Sequence, residues 1–324
     1  MISGEGACFE LARFHGSPDE VSSQWLDERR KGVGGSDVAA IMGLSPWRTA
    51  YQVWVEKVTG ESDDISGKPA VHWGNMLEAL VGDEYRSNHP DRIVRRVNGI
   101  ARSIARPWAQ ASLDYEVRDP DLGWGVLEIK TAGYRSANHW EDGVPVFYQT
   151  QVAHYLSVTG RPFADVAVLI GGQDYREYRI MRDEDDVAAV DAAVDAFWHG
   201  NVEAMAEPEA TASDSAAVFS AHPDAGGLVR MDAVPASLGR YRMACAEYDR
   251  AKAAKDECAA LLKAEIGDDG GWDTPDGKVV WQRVARSRFD SKRFKADHPE
   301  LNEEYTVTRK VDGGLRFYPA KKEE

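Results

Sequence analysis

The stretch from Ser112 to Thr131 constrains the fold of this chain most, because it predicts two neighbouring strands joined by a turn. The Asp-Pro-Asp-Leu-Gly run at 119–123 is typical of a turn, so the strand that holds Asp114 is expected to return beside the strand that holds Glu128. Side chains alternate along a strand, which places Glu128 and Lys130 on the same face. The sequence therefore predicts two carboxylates that converge near one lysine.

Two carboxylates and one main-chain carbonyl suffice to hold a hard divalent cation, because Mg2+ prefers oxygen ligands and keeps several of its waters. Asp114 and Glu128 are therefore candidate metal ligands, and the carbonyl of Ile129 is a candidate third ligand. Lys130 is a candidate for orienting or activating a water.

An acid followed by any residue and a lysine is weak evidence by itself, because such a step is often a solvated strand face. The pattern occurs three times in the chain, at 128–130, 276–278 and 290–292. The first occurrence alone follows a predominantly apolar strand and has an aspartate on the preceding strand. That context favours 128–130 as the catalytic one.

Composition limits the class of protein and the kind of metal site. With 324 residues and a hydrophobic fraction of 43%, the chain is long enough for about two globular domains. It shows no run long enough for a membrane span and no secretory signal, so we expect a cytoplasmic protein. The three cysteines form no CxxC and the eight histidines form no HExxH, so any metal is expected to be held by oxygen.

The charge is unevenly distributed over a chain whose net charge is −15, which is unusual for a protein that binds nucleic acid. Residues 183–209 hold nine acids, whereas 281–295 hold six basic residues and one acid. Basic residues also cluster at 29–31, and five arginines lie within 92–106. Each basic cluster is either a solvated surface or part of a local binding groove, since charges separated by more than about 8 Å are screened in physiological salt.

The Gly-Val-Gly-Gly-Ser-Asp run at 32–37 predicts a glycine-rich turn that leads into a short helix, with Ser36 as its N-cap. The amides of Gly34 and Gly35, together with the charge of Arg30, would then form an anion site that suits a phosphate. An ordinary capped helix after a loop is the alternative. No lysine follows at the position that a nucleotide P-loop requires.

Local signals predict the remaining elements of the first 206 residues. Helices are expected over 17–31, 49–58, 70–88, 145–159 and 183–205, and strands over 93–97, 124–130, 164–170 and 175–181. Glu78 lies beside the apolar stripe of the helix predicted over 70–88, and its carboxylate needs a partner if it faces inward. Gln151 is the polar exception on an apolar helical stripe; it bonds either to neighbouring backbone or to a group in a site.

Composition changes after residue 206. Residues 207–237 predict a linker, because Ala, Ser, Asp, Pro and Gly occur there without periodicity. The region 238–324 is expected to form a small helix-and-strand unit, with a helix over 238–266 and strands over 279–284, 305–310 and 315–318.

An ordered set of motifs resembles the YqaJ viral recombinase family, which is related to lambda exonuclease within the PD-(D/E)XK nucleases. The motifs are Gly34-Gly-Ser-Asp-Val-Ala-Ala-Ile-Met-Gly-Leu-Ser-Pro-Trp47, Tyr51-Gln-Val-Trp54, Gly74-Asn-Met-Leu-Glu78, Leu113-Asp114, Leu127-Glu-Ile-Lys130 and Tyr148-Gln-Thr-Gln151. They cover roughly residues 20 to 205. The family's proline before the metal-binding aspartate is Leu113 here.

The resemblance implies a fold, an activity and a set of site residues. The fold would be α/β (α+β), with a restriction-endonuclease-like mixed central sheet flanked by helices over residues 1–206. The activity would be Mg2+- or Mn2+-dependent hydrolysis of double-stranded DNA from its ends, 5′ to 3′, in phage or prophage recombination in a bacterial host. The resemblance assigns metal binding to Asp114 and Glu128, water positioning to Lys130, completion of the site to Glu78 and Gln151, and phosphate binding to Arg30 and Ser36.

The resemblance also implies partners that the sequence itself does not show. Lambda exonuclease forms a trimeric ring and works with a single-strand annealing protein. Two other functions stay open at this point: an endonuclease of the same superfamily, and a non-catalytic module that recruits an annealing protein through residues 236–324.

Overall fold

The computed structural model describes residues 8–60, 67–223, 226–285, 287–308 and 315. The chain divides into two compact units, Met1–Asp224 and Ala225–Glu324. All of the predicted site residues belong to the first unit. Over the described ranges, no helix combines the length and the apolar composition needed to cross a bilayer.

The first unit alternates helices and strands. In chain order they are β1 (Phe9–Ala12), α1 (Pro18–Arg29), α2 (Gly35–Ile41), α3 (Ala50–Thr59), α4 (Pro69–Asn88), β2 (Ile93–Arg96), β3 (Ile100–Ser103), β4 (Gln110–Ala111), β5 (Tyr115–Asp119), β6 (Gly123–Ala132), a 3-10 helix (Tyr134–Trp140), α5 (Val146–Thr159), β7 (Phe163–Ile170), β8 (Asp174–Met181), α6 (Glu184–Phe197), a π-helix (Trp198–Glu203) and α7 (Ser215–Ala221). Most of the predicted elements are therefore present.

The central sheet has five strands in the order β2-β5-β6-β7-β8. Its pairs are antiparallel except for β6 and β7, which run parallel and are joined by α5. A parallel pair needs a long crossover, and α5 supplies it. The predicted mixed sheet flanked by helices is confirmed, and a small antiparallel sheet of order β1-β3-β4 accompanies it.

Helices cover both faces of the central sheet. On one face, Leu127 of β6 packs in a buried cluster with Tyr85 of α4. On the other face, Val126 of β6 packs in a second buried cluster with Leu156 of α5. Because both faces are buried, the polar side chains of β6 lie in an enclosed setting rather than on a solvated surface.

Helix caps follow the sequence signals, with one exception. Ser17 caps α1 in a capping box, and Thr49 caps α3. The prediction of Ser36 as the N-cap of α2 is wrong, because the helix begins at Gly35 and Gly34 occupies the cap position. The carboxylate of Asp37 accepts the Gly34 N–H at 3.1 Å and so replaces the expected serine cap.

The arginines within 92–106 do not form a free basic surface. Each of them makes an ion pair with a carboxylate of the same unit, which offsets its positive charge. The pairs are Arg92 with Asp165 (3.0 Å), Arg95 with Glu116 (2.7 Å), Arg96 with Glu78 (2.8 Å), Arg102 with Glu28, and Arg106 with Asp195 (2.7 Å).

The first unit ends at Asp224 rather than at residue 206. The segment after 206 is tied to α3: the Tyr51 hydroxyl donates to Glu207 Oε2 at 2.8 Å, and the Thr49 hydroxyl donates to Asp214 Oδ1 at 2.5 Å. Helix α7 also contacts α3. The first part of the predicted linker is therefore folded, which the sequence did not indicate because α7 is too short to show periodicity.

The second unit contains α8 (Ala236–Ile266), a hairpin of β9 (Gly271–Thr274) and β10 (Gly277–Val280), α9 (Ser291–Asp297) and α10 (Pro299–Glu304). The expected long helix is present. The strand predicted over 279–284 ends at Val280, which pairs with Gly271, the first residue of its partner strand β9. The described residues 305–308 and 315 are not in strands, while 309–310 and 316–318 lie outside the described residues.

A fully buried histidine, His154, ties α5 to two neighbouring segments. Its Nε2 lies 3.1 Å from the carbonyl oxygen of Val33 and 3.0 Å from that of Gln110. Because both partners are acceptors, Nε2 carries the proton and donates. Burial lowers the pKa of His154 below its usual value of 6.5, so the folded protein holds this ring neutral.

We expect the free energy of unfolding to decrease as the pH falls through 6.5, because the unfolded chain then protonates His154 while the folded chain does not. Denaturant titrations above and below that pH measure the slope. His154→Gln should flatten it, whereas His72→Gln, at an exposed position of α4, should leave it unchanged. Equal slopes in the wild type and His154→Gln would contradict this assignment.

Candidate active site

Pairing of β5 with β6 brings the two predicted metal ligands together. Tyr115 pairs with Leu127, so Asp114, just before β5, lies opposite Glu128. Asp114 Oδ2 accepts the N–H of Ile129 at 2.8 Å, which fixes this carboxylate against the next strand. The turn at 119–123 therefore produces the convergence that the sequence predicts.

Glu128 lies at the centre of a hydrogen-bonded group on the α5 side of the sheet. Its Oε1 accepts from Lys130 Nζ at 2.6 Å and from Gln151 Nε2 at 2.7 Å. Lys130 Nζ also donates to Gln151 Oε1 at 3.2 Å, and Gln151 Nε2 lies 2.8 Å from the hydroxyl of Tyr155. The amide on the apolar stripe of α5 thus reaches a site, as one of its two interpretations predicts.

Burial and mutual repulsion change the titration of this group. Burial raises the pKa of Asp114 well above its usual range, and the neighbouring Glu128 raises it further. Burial also raises the pKa of Glu128, although Lys130 opposes the shift. For Lys130, burial favours the neutral amine, but the two carboxylates outweigh it and the pKa of Lys130 is raised. The group is therefore short of positive charge, and Lys130 stays protonated.

One oxygen of this group lacks a hydrogen bond. Glu128 Oε2 is buried, and none of the described residues donates to it. A buried carboxylate oxygen without a partner is costly unless a cation or water meets it. Together with Asp114 it offers the oxygen ligands that Mg2+ or Mn2+ prefers, so the residues present fit a divalent metal.

Glu78 lies on the edge of this arrangement rather than within a three-carboxylate cage. Its Oε1 accepts from Arg96 Nη2 at 2.8 Å, so its partner is an arginine. Among the described residues, no three acid, histidine or cysteine side chains are close enough to enclose a metal. A metal held here would therefore rely on two carboxylates and retained waters.

Two adjoining clefts open onto the carboxylates. The first, of about 230 Å³, is lined by Arg29, Ser36 and the Glu128 group; the second, of about 250 Å³, is lined by Glu78 and Arg96. Trp25, Ser112 and Asp114 line both clefts. Asp114 therefore lies in the shared wall of the two clefts.

The glycine-rich turn lies at the first cleft, as predicted, but a different arginine accompanies it. Gly34, Gly35 and Ser36 all line the cleft, and Ser36 Oγ accepts from Arg29 Nη2 at 2.9 Å. Arg30 is not among the residues that line this cleft, because its guanidinium donates to the carbonyl of Gly60 at 2.8 Å; its role in phosphate binding stays a prediction. Consecutive residues at a helix end point in different directions, so a shift of one position moves the charge away from the cleft.

A buried ion cluster fixes Arg29. Asp37 is fully buried and lies 3.1 Å from Arg29, 3.1 Å from Arg48 and 2.9 Å from Lys57. Burial alone would raise the pKa of Asp37, but these three cations hold it well below its usual range. Glu56 pairs with Arg48 at 2.6 Å, so the cluster contains three cations and two carboxylates. The surplus positive charge favours an anion near Arg29.

Gly35 allows α2 to lie directly against α5. A Cβ built on Gly35 would lie 2.5 Å from the Tyr155 ring and 2.9 Å from Gln151 Cγ. A Cβ on Gly34 would meet its nearest atom at 3.8 Å. We expect Gly35→Ala to destabilise the protein by about 1–3 kcal/mol, because the added methyl overpacks this contact.

Thermal or denaturant unfolding of Gly35→Ala beside Gly34→Ala checks this expectation. The Gly34 variant tests the loss of a glycine in the same turn without the clash, so it should unfold close to the wild type. If both variants lost the same stability, chain flexibility rather than the contact with α5 would explain the need for glycine.

Two residues of the site escaped the sequence analysis. Asp37 organises the ion cluster, and Tyr155 donates to the carbonyl of Ser112, the residue after β4, at 2.8 Å. Tyr155 lies four residues after Gln151 on α5, so its place on the same helical stripe was visible. Its role was not, because an aromatic residue on an apolar stripe usually belongs to the core.

Comparison with known proteins finds a family model that matches part of the first unit. Residues 24–162 match the YqaJ-like viral recombinase domain. The YqaJ protein of Bacillus subtilis (strain 168) is 28% identical over 288 residues, which cover 86% of this chain and 89% of that protein. Protein D345L of African swine fever virus (strain Badajoz 1971 Vero-adapted) is 34% identical over 70 residues, which cover 22% of this chain and 20% of that protein. The resemblance to the YqaJ family is therefore confirmed.

Solved structures similar to this chain include two described as exonucleases. The alkaline exonuclease LHK-Exo from Laribacter hongkongensis aligns with a TM-score of 0.47 and 24% identity, over 57% of this chain and 94% of that one. A phage-related exonuclease from Haemophilus somnus 129PT aligns with a TM-score of 0.39 and 12% identity, over 54% and 96%.

Proposed function

Because residues 24–162 match the YqaJ-like viral recombinase domain, we propose that this protein is a metal-dependent DNA exonuclease of phage or prophage recombination. Its substrate would be the end of double-stranded DNA, degraded from 5′ to 3′. The observation that carries the proposal is the buried Glu128, bonded to Lys130 and Gln151 and facing Asp114 at a cleft. Metal-assisted phosphodiester hydrolysis needs such carboxylates and a group that orients water.

Asp114 and Glu128 would hold Mg2+ or Mn2+ with retained waters, and the carbonyl of Ile129 is a candidate third ligand. Glu78, paired with Arg96, would border this set rather than enclose the metal. Glu128 Oε2 supports this assignment, because it is a buried acceptor to which none of the described residues donates a hydrogen bond. Such a metal supplies a water of lowered pKa and neutralises charge on the phosphate. Loss of the carboxylates should therefore remove metal binding as well as cleavage.

Lys130 would position the attacking water and stabilise negative charge on the phosphate. Its amine bonds to Glu128 and Gln151 at the cleft, so it is placed to act as a hydrogen-bond donor and a positive charge. Gln151 holds both Glu128 and Lys130, so its amide would keep the donor and the metal-binding carboxylate in register. The side chains thus have separate roles in one reaction.

A terminal phosphate would bind between Arg29, Ser36 and the amides of Gly34 and Gly35. Arg29 takes the place that the sequence analysis gave to Arg30. The surplus charge of the Asp37 cluster supports anion binding here, since three cations face two carboxylates. The site would then distinguish a phosphorylated 5′ end from an unphosphorylated one.

We also propose that the second unit serves partner proteins, with a single-strand annealing protein and further copies of this chain in a ring as candidates. Exposed apolar side chains of α8, such as Met243 and Leu261, support a contact role. Truncation after Asp224 should then keep cleavage but lose association with the annealing protein. Unchanged association would end this part of the proposal.

Cleavage assays on linear and on closed circular duplex DNA distinguish an exonuclease from an endonuclease. The full chain with Mg2+ should degrade linear DNA and leave the circle intact, because an exonuclease needs an end. Cutting of the circle would replace the proposal with an endonuclease of the same superfamily. Inert DNA in both reactions, with Mn2+ also tried, would favour the non-catalytic recruiting module.

A further inference from the structure

An exposed tryptophan stands beside the candidate active site without a role in it. Trp47 lies in the loop between α2 and α3, and 64% of its surface is exposed. Its ring rests on two aromatic residues at the start of α5, with centroids 4.8 Å from Phe147 and 6.0 Å from Tyr148. These three residues are called the aromatic platform below.

The aromatic platform is continuous with the catalytic group. Lys130 Nζ lies 4.6 Å from the centre of the Tyr148 ring, a cation–π contact. Buried Trp140 packs against Tyr148, with ring centroids 5.6 Å apart, and so supports this end of the platform. The exposed indole of Trp47 is therefore two contacts away from the Lys130 amine on a fixed support.

An indole that is packed along one side and open on the rest suits a flat ligand. Large aromatic side chains gain most from burial, so an exposed one that other rings hold beside a site is a candidate binding position. Trp73 on α4 offers a contrast: it is 58% exposed, but its ring contact is with His72 beside it on the same helix, at 5.4 Å. Exposure alone does not connect a tryptophan to the site.

We propose that Trp47 stacks against an unpaired nucleobase of the DNA strand held at Lys130. This proposal rests on the proposed nuclease function, because the strand reaches the platform from the site. Stacking on an aromatic side chain accepts any base, since every base has a π-face. The platform would thus hold a strand end that has left the duplex, without selecting its sequence.

Binding of a short 5′-phosphorylated single strand by the full chain, in EDTA so that nothing is cleaved, tests the proposal. Trp47→Ala should weaken binding by about tenfold, the loss typical of one stacked base. Trp47→Phe should keep most of the affinity, because a phenyl ring still stacks. Trp73→Ala is the matched control and should bind as the wild type does.

A set of strands that each lack one base locates the contact. In the wild type, one abasic position should weaken binding by about as much as Trp47→Ala, and that position should have no effect in the variant. Equal affinities for Trp47→Ala and Trp73→Ala, or no binding by the wild type, would overturn the proposal. The proposal would also fail if Trp47→Ala changed the oligomeric state in solution but not DNA binding, because the indole would then be a contact between protein chains.

The binding assay is independent of the nuclease assignment. If the protein binds the strand through Trp47 but never cleaves DNA, the platform stands and the nuclease proposal fails. If it cleaves DNA while the abasic series is identical in the wild type and Trp47→Ala, the nuclease stands and the platform fails.

Discussion

Lys130→Ala should lower the rate of DNA hydrolysis by about 10³-fold, the scale expected when one positioned donor is removed from a buried site. The amine bonds to Glu128 and Gln151, so its loss removes the group that would orient the water. DNA affinity should stay within about twofold, because exposed phosphate contacts rather than this buried amine dominate binding. Single-turnover cleavage and equilibrium binding in EDTA separate the two effects.

Lys278→Ala is the matched control, because Asp276-Gly-Lys278 repeats the same spacing outside the site. Lys278 is exposed and pairs with Asp273 at 3.1 Å in the hairpin of the second unit. Its loss should leave cleavage unchanged. Substantial cleavage by Lys130→Ala, or equal losses in both variants, would remove Lys130 from the reaction.

Arg29→Ala should remove most of the preference for a 5′-phosphorylated end over a 5′-hydroxyl end, a change of about 10- to 100-fold. The guanidinium bonds to Ser36 in the cleft and belongs to a cluster with a surplus of positive charge. The wild type should degrade the phosphorylated end faster. Initial rates on the two ends, compared as a ratio, cancel any general loss of activity.

Arg30→Ala provides a control from the adjacent position, since its guanidinium bonds to the carbonyl of Gly60. The ratio of rates should stay at the wild-type value in this variant. If Arg30→Ala rather than Arg29→Ala erased the preference, the assignment from the sequence would stand and the one from the structure would fall. Equal rates on the two ends in the wild type would end the phosphate-site proposal.

The hairpin was predictable because its signals are local. Turn residues at 119–123 and alternation along β6 suffice to place Asp114 opposite Glu128 and to put Lys130 on the same face. The mixed sheet needed more, since one sequence does not show which strands pair. The expectation of a mixed sheet came from the resemblance, and the parallel pair of β6 and β7 within an otherwise antiparallel sheet agrees with it.

The phosphate site was predictable in place but not in detail. The glycine-rich turn marks the start of α2, yet its cap depends on Asp37, whose partners Lys57 and Arg48 lie on or just before α3. Those contacts join segments that are distant in sequence. For the same reason, the rotation of α1 about its axis decides whether Arg29 or Arg30 reaches the cleft. The sequence of α1 alone does not show this rotation.

The most direct test of the account is nucleotide release from linear, 5′-phosphorylated duplex DNA by the wild type and by Glu128→Gln. Glu128→Gln keeps the size of the side chain but removes the charge that would hold the metal. We expect release by the wild type with Mg2+ or Mn2+, none in EDTA, and none by Glu128→Gln with either metal. Release in EDTA, or by Glu128→Gln at the wild-type rate, would contradict it.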